Sequence, residues 1–172
     1  MIRYLFYLVL VVFLVILQTS ILPYLPEGGR FYDLLIPFIV YLSLYKPLGD
    51  GLPVLAAGGV AMDMLSGSPI GIYLTTYLWV FIACRGAPRW ISIRPHLLFS
   101  LLVLLGVLFQ NTLFAAAVLS AETSRFFTAH SLRIILLQHF WALVTSPFLW
   151  LGFQYLFANP GWFSGKAGRN GI

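Results

Sequence analysis

The sequence is poor in charge. Only 9% of its 172 residues are Asp, Glu, Lys or Arg, whereas a soluble domain carries about 25%. Ten basic and five acidic side chains cannot cover the water-facing surface of a chain of which 60% is hydrophobic. The composition therefore excludes an ordinary soluble domain and predicts an integral membrane protein.

Residues that carry chemistry are also scarce. Cys84 is the one cysteine, which excludes an intramolecular disulfide and a zinc site built from cysteines. Asp33 is assigned to the outer boundary, which leaves Asp63 as the one carboxylate placed inside the membrane, so a proteolytic aspartate pair there is excluded. The sequence has no G-x-S-x-G elbow, phosphate-binding loop or dinucleotide fingerprint. We therefore predict that the protein is not an enzyme and has no cofactor.

Six apolar segments are separated by prolines, glycines and charges. They predict an all-α, polytopic bundle of six transmembrane helices in one domain, residues 1–158, followed by a flexible cytoplasmic tail, residues 159–172. The predicted helices are 4–22, 31–45, 52–65, 70–84, 97–118 and 132–157. The second and third would each reach only about 21–23 Å and need flanking residues or a locally thinner bilayer. In a five-helix alternative, these two short segments form one re-entrant hairpin.

The distribution of basic residues predicts the topology. They lie between apolar runs rather than in one patch, which argues against a nucleic-acid partner. With the N-terminus inside, the cytoplasmic side receives seven of them and the opposite side three, namely Arg3, Lys46, Arg85, Arg89, Arg94, Lys166 and Arg169 against Arg30, Arg125 and Arg133. Because cytoplasmic loops collect Lys and Arg, both termini are predicted to be cytoplasmic, with six crossings. The five-helix alternative would place the arginine-rich 85–94 loop outside.

Polar residues inside the predicted spans cluster in the outer half of the membrane. They include Gln18, Asn111 and Gln138, while Asp33 and Arg133 lie near the outer boundary. Such amides most often make hydrogen bonds between helices.

Asp63 stands out because a carboxylate inside a membrane needs a partner. It shares a helix face with Ala56 and Gly59, and small residues on such a face allow close approach of a neighbour. Two interpretations stay open. Asp63 either pairs with Arg133 or a backbone N–H after Gly67, holding the third helix to the fourth, or contributes to a partner contact.

Three segments carry a resemblance to a known family, namely residues 17–23 (LQTSILP), Asp33-Leu34-Leu35 with Tyr41, and chiefly residues 58–71 (GGVAMDMLSGSPIG). They resemble the bacterial rod shape-determining protein MreD family. The last run is similar to the family's small-residue helix, aspartate, turn with a glycine (Gly67) and next helix opened by a glycine (Gly71). The second half resembles the family only through its spacing and Thr145-Ser146-Pro147, and Tyr32 stands where the family commonly has proline.

The resemblance implies a non-enzymatic subunit of the rod elongation complex in the bacterial inner membrane. The implied partners are an MreC-like protein and, through it, MreB, RodA and the elongation transpeptidase, together with membrane lipid but no small-molecule substrate. An alternative is a subunit similar to the substrate-binding S components of energy-coupling-factor vitamin importers, which share this architecture. Against it, the first helix lacks the Ala-xxx-Ala docking face of those subunits, and the outer loops offer few polar residues for a vitamin.

Overall fold

The computed structural model describes residues 2–24, 31–67, 70–120 and 129–158. Six α-helices account for most of these residues, which confirms the prediction of an all-α fold with six helices. They are α1 (Ile2–Ile16), α2 (Leu35–Tyr45), α3 (Leu48–Leu65), α4 (Ile72–Gly86), α5 (Pro95–Ser120) and α6 (Ala129–Ala158). The predicted tail, residues 159–172, lies outside the described residues, as do Arg30, Arg125, Lys166 and Arg169.

Three helices are long and apolar enough to cross a membrane by length and composition. They comprise α3 over Leu48–Leu65, α5 over Pro95–Val118 and α6 over Leu132–Phe157. Two further segments, Leu5–Ile21 and Leu35–Tyr45, are apolar but shorter. These findings indicate a multi-pass membrane protein.

The short helix α2 lies at the centre of the bundle. It contacts all five other helices, and each residue from Leu35 to Ser43 is buried. A helix that is apolar around its whole circumference can be buried on every side. The sequence of α2 therefore suits a central position, and its neighbours shield a segment that is only about 17 Å long.

Two helix starts differ from the prediction by four residues, more than the other helix starts do. Helix α2 begins at Leu35 rather than at residue 31, because the Asp33 side chain accepts a hydrogen bond from the Leu35 N–H (2.9 Å) and holds a turn before the helix. Helix α3 begins at Leu48 rather than at residue 52. Gly51 is helical and packs so closely on the Phe81 ring that a Cβ there would lie 2.6 Å from it. The glycines that suggested a loop thus allow a close helix contact.

Successive helices run in opposite directions through the bundle. The two ends of the bundle carry different polar residues. At one end, which we call the Asp33 end, α1, α3 and α5 finish and α2, α4 and α6 start. At the other end, the Arg85 guanidinium donates to the carbonyl of Lys46 (3.0 Å), and Arg89 and Arg94 are exposed. The predicted site residues other than Ala56 lie toward the Asp33 end.

Candidate functional site: a polar cavity around Asp33

The Asp33 carboxylate is the centre of a hydrogen-bond cluster between helices. Its Oδ1 accepts from Nε2 of Gln18 (3.0 Å) and from the N–H of Leu35 (2.9 Å). Its Oδ2 accepts from Nε2 of Gln110 (3.0 Å) and from the Tyr77 hydroxyl. We call these five residues the Asp33 cluster. The donors come from the end of the first helical segment and from α2, α4 and α5, so one carboxylate connects four helical segments.

The position of Gln18 depends on a local change of helix type. After Ile16 the chain continues as a π-helix over Leu17–Ile21, and such wider turns are frequent at functional sites. Gln18 Oε1 accepts from the N–H of Leu34 (3.0 Å), and its Nε2 contacts both Asp33 (3.0 Å) and the Met62 sulfur (3.3 Å). Both ends of this amide are therefore engaged and its orientation is fixed.

Helix α6 is attached to the residues that precede α2. The Tyr32 hydroxyl lies 2.6 Å from Oγ1 of Thr145. Because the Thr145 hydroxyl donates to the carbonyl of Trp141 (2.7 Å), Tyr32 is the donor in the first bond. Gln138 Nε2 donates to the carbonyl of Phe31 (3.4 Å). These bonds hold the 31–33 segment between α6 and the Asp33 cluster.

A cavity of about 450 Å³ lies beside the Asp33 cluster, within the usual range of about 300–1,000 Å³ for ligand pockets. Its lining is polar and aromatic, and the described lining residues are Gln18, Thr19, Leu22, Phe31, Tyr32, Asp33, Met62, Leu65, Ser66, Tyr73, Val107, Gln110, Asn111, Phe114 and Gln138. Three predicted site residues, Gln18, Asn111 and Gln138, thus come together around one cavity. Because Leu65 and Ser66 are also exposed, the cavity opens at the Asp33 end.

Asp63 lies outside this cluster and binds the start of α4. Its two carboxylate oxygens accept from the N–H groups of Tyr73 (2.9 Å) and Leu74 (3.3 Å), donors in the first turn of a helix that otherwise lack a partner. Of the two predicted partners of Asp63, Arg133 or a backbone N–H after Gly67, the structure shows the backbone N–H. Arg133, the other predicted partner, is exposed on α6.

The connection between α3 and α4 depends on three glycines that the sequence singled out. A Cβ on Gly59 would lie 2.8 Å from the Leu74 Cα, so α3 and α4 touch backbone to backbone there. Gly67 and Gly71 have φ angles of +67° and +95°, a left-handed region that glycine adopts without strain. Gly59, Gly67 and Gly71 are therefore parts of an internal joint.

The predicted face of Ala56, Gly59 and Asp63 is divided between two environments. Gly59 and Asp63 are buried against α4, whereas Ala56 is exposed. The neighbour that approaches Gly59 and Asp63 is therefore α4 of the same chain, and of these three residues Ala56 is the one that is exposed.

The sequence analysis missed Asp33, Tyr77 and Gln110 as site residues. The sequence analysis places Asp33 near the membrane boundary and predicts no contact of Asp33 with Tyr77 or Gln110. The signal in the sequence was weak, because these residues fall in the second, fourth and fifth predicted helices, two, seven and eight residues from the ends predicted to face outward.

Within the described ranges, no group of three or more His, Cys, Asp or Glu residues is arranged to hold a metal ion. No protein-family model, curated protein or solved structure matches the chain.

Proposed function

We propose that this protein is a non-enzymatic, integral membrane subunit of the bacterial rod elongation complex, and that it binds an MreC-like protein. The observation that carries the proposal is the structure of residues 58–67 and 70–71, which belong to the part of the chain that most resembles the MreD family. Asp63 caps α4, Gly59 allows the close contact with α4, and Gly67 and Gly71 adopt positive φ angles. The aspartate and the glycines of the resemblance thus each have a structural role where α3 meets α4.

The fold is compatible with six crossings of the inner membrane and cytoplasmic termini. Helix α3 has 18 residues and reaches about 27 Å, so it does not need to share a hairpin with α2. Lys46, Arg85, Arg89 and Arg94 all lie at the end opposite Asp33, which favours a cytoplasmic position for that end. The Asp33 end then faces the periplasm.

The exposed ridge of α3 is the surface that we assign to the partner. It consists of residues spaced four apart, Leu52, Ala56, Val60 and Met64, all exposed. Residues at this spacing lie on one helix face, and the small Ala56 at its middle allows close approach of a transmembrane helix. This ridge keeps one predicted contact residue, Ala56, in an accessible position.

Substitution of Ala56 tests the proposal without disturbing the core. We expect Ala56→Phe to reduce recovery of the MreC-like protein with the tagged chain from native membranes by about tenfold, a loss of about 1.4 kcal/mol. Ala83→Phe, at another exposed alanine on α4, serves as the matched control. Equal recovery of the MreC-like protein with both variants would show that the α3 ridge is not its contact surface. Absence of any wall-synthesis protein with the unmodified chain would reject the function.

The cavity favours a second candidate, the substrate-binding subunit of a vitamin importer. The predicted outer loops offer few polar residues for a vitamin, but the cavity between the helices has a polar lining. Under this alternative, the tagged chain would recover an ATPase module and a bound small molecule instead of wall-synthesis proteins. One co-purification experiment therefore separates the two candidates.

A further inference from the structure

The charge in the cavity lining has one sign. Among its described lining residues Asp33 is the one ionisable carboxylate, and Lys, Arg and His do not occur. All four groups bonded to the Asp33 carboxylate act as donors, an arrangement that suits its ionised form. The Asp33 carboxylate would repel a negatively charged ligand, because no basic residue of the described lining neutralises its charge, whereas it would attract a cation.

The cavity lining includes aromatic rings that belong to two ring pairs. Phe31 is stacked on Trp141 with 5.0 Å between ring centroids. Tyr73 and Phe114 form an edge-to-face pair at 5.3 Å. These contacts hold the rings that line the cavity in defined orientations, and fixed aromatic rings attract organic cations such as quaternary ammonium groups.

The amides around the cavity are oriented by bonds that use their nitrogen atoms. Gln110 donates through Nε2 to Asp33 (3.0 Å), and Gln138 donates through Nε2 to the Phe31 carbonyl (3.4 Å). Each amide can therefore accept a hydrogen bond through its Oε1. Hydrogen-bond acceptors, aromatic rings and one carboxylate together favour a ligand that is positively charged and carries donors.

We propose that this cavity binds a small organic cation, of the alkylammonium class, which enters from the Asp33 end. The proposal goes beyond membership of the elongation complex and concerns the isolated chain, so it can fail while the partner assignment stands, and the reverse.

Protection of an introduced cysteine tests the proposal. Ser66→Cys places a thiol of nearly the same size on the cavity wall, and Asn111→Cys provides a second position. Cys84 can remain, because it is 3% exposed and the unmodified chain should not react. The purified chain is labelled with methyl methanethiosulfonate, a neutral thiol reagent. The labelling rate is measured without ligand, in the presence of choline, and in the presence of its uncharged isostere 3,3-dimethylbutan-1-ol. The control is Ile70→Cys, at a 93% exposed residue of the same end.

We expect choline to slow labelling at both cavity positions in a saturable manner. The isostere should need at least about tenfold higher concentration for the same protection, and neither compound should affect Ile70→Cys. No protection by choline, equal protection by the isostere, or failure of both cavity thiols to react would overturn the proposal.

Discussion

Asp33 and Asp63 lie toward the same end of the bundle, but they serve different regions of it. Asp63 accepts two backbone N–H groups from the first turn of α4, so it connects helices that are adjacent in sequence. Asp33 accepts side-chain donors from residues 15, 44 and 77 positions away, in addition to a local backbone bond. The first aspartate stabilises one turn, whereas the second connects distant parts of the chain.

The difference shows that the depth of a carboxylate in a predicted helix is a poor guide to its role. Asp63 and Asp33 each lie two residues from the outward end of their predicted span. The partners of Asp63 are backbone N–H groups, which every residue except proline supplies, whereas the partners of Asp33 are particular side chains, Gln18, Tyr77 and Gln110. We therefore expect substitutions at Asp33 to affect the whole bundle.

The largest effect should come from Asp33→Leu, which removes the acceptor of four donors. A buried donor without a partner costs about 1–3 kcal/mol, and interhelical bonds in membranes average about 0.6 kcal/mol. We expect the free energy of unfolding to fall by about 3 kcal/mol, measured by reversible unfolding in mixed detergent micelles. A loss below that of Asp63→Ala would contradict the central role of Asp33.

Gly59→Ala should have the next largest effect, because its new Cβ would lie 2.8 Å from the Leu74 backbone. Overpacking of this kind costs about 1–3 kcal/mol. Gly58→Ala is the matched control: its Cβ would lie 3.3 Å from Cγ1 of Val11, a side-chain atom that can move. The same unfolding measurement should show a smaller loss for Gly58→Ala, and the reverse order would disprove the backbone contact.

Asp63→Ala should cost about 1 kcal/mol, the usual value of a helix cap. Asp63→Asn keeps one acceptor oxygen and should lose about half as much. Hydrogen exchange of the Tyr73 and Leu74 amides provides a local readout, and we expect it to accelerate in Asp63→Ala while the amides of α2 remain protected. Faster exchange throughout α2 would mean that Asp63 supports more than the α4 turn.

The smallest effect should come from Arg133→Ala, because Arg133 is exposed on α6 and exposed substitutions usually stay within about 0.5 kcal/mol. The same change in an Asp63→Ala background should have an equally small effect. A clear difference between the two backgrounds would show that Arg133 and Asp63 interact.

Local sequence patterns predicted much of the fold. The six apolar runs and the joint at Gly67 and Gly71 are local features, because lipid requires continuous helices and turns need particular residues. The start of α3 was wrong because Gly49 and Gly51 suggest a loop unless the neighbouring Phe81 is known. The Asp33 cluster was missed because its bonds depend on how four segments meet, which no local pattern specifies.

A double-mutant cycle between Asp33→Asn and Gln110→Leu tests the central claim most directly. If Asp33 connects the segments through these side chains, the two losses of unfolding free energy should be non-additive by about 1 kcal/mol. The parallel cycle between Asp33→Asn and Asp63→Asn should be additive within about 0.5 kcal/mol. Additivity of Asp33 with Gln110, or strong coupling of Asp33 with Asp63, would contradict the division between the two regions.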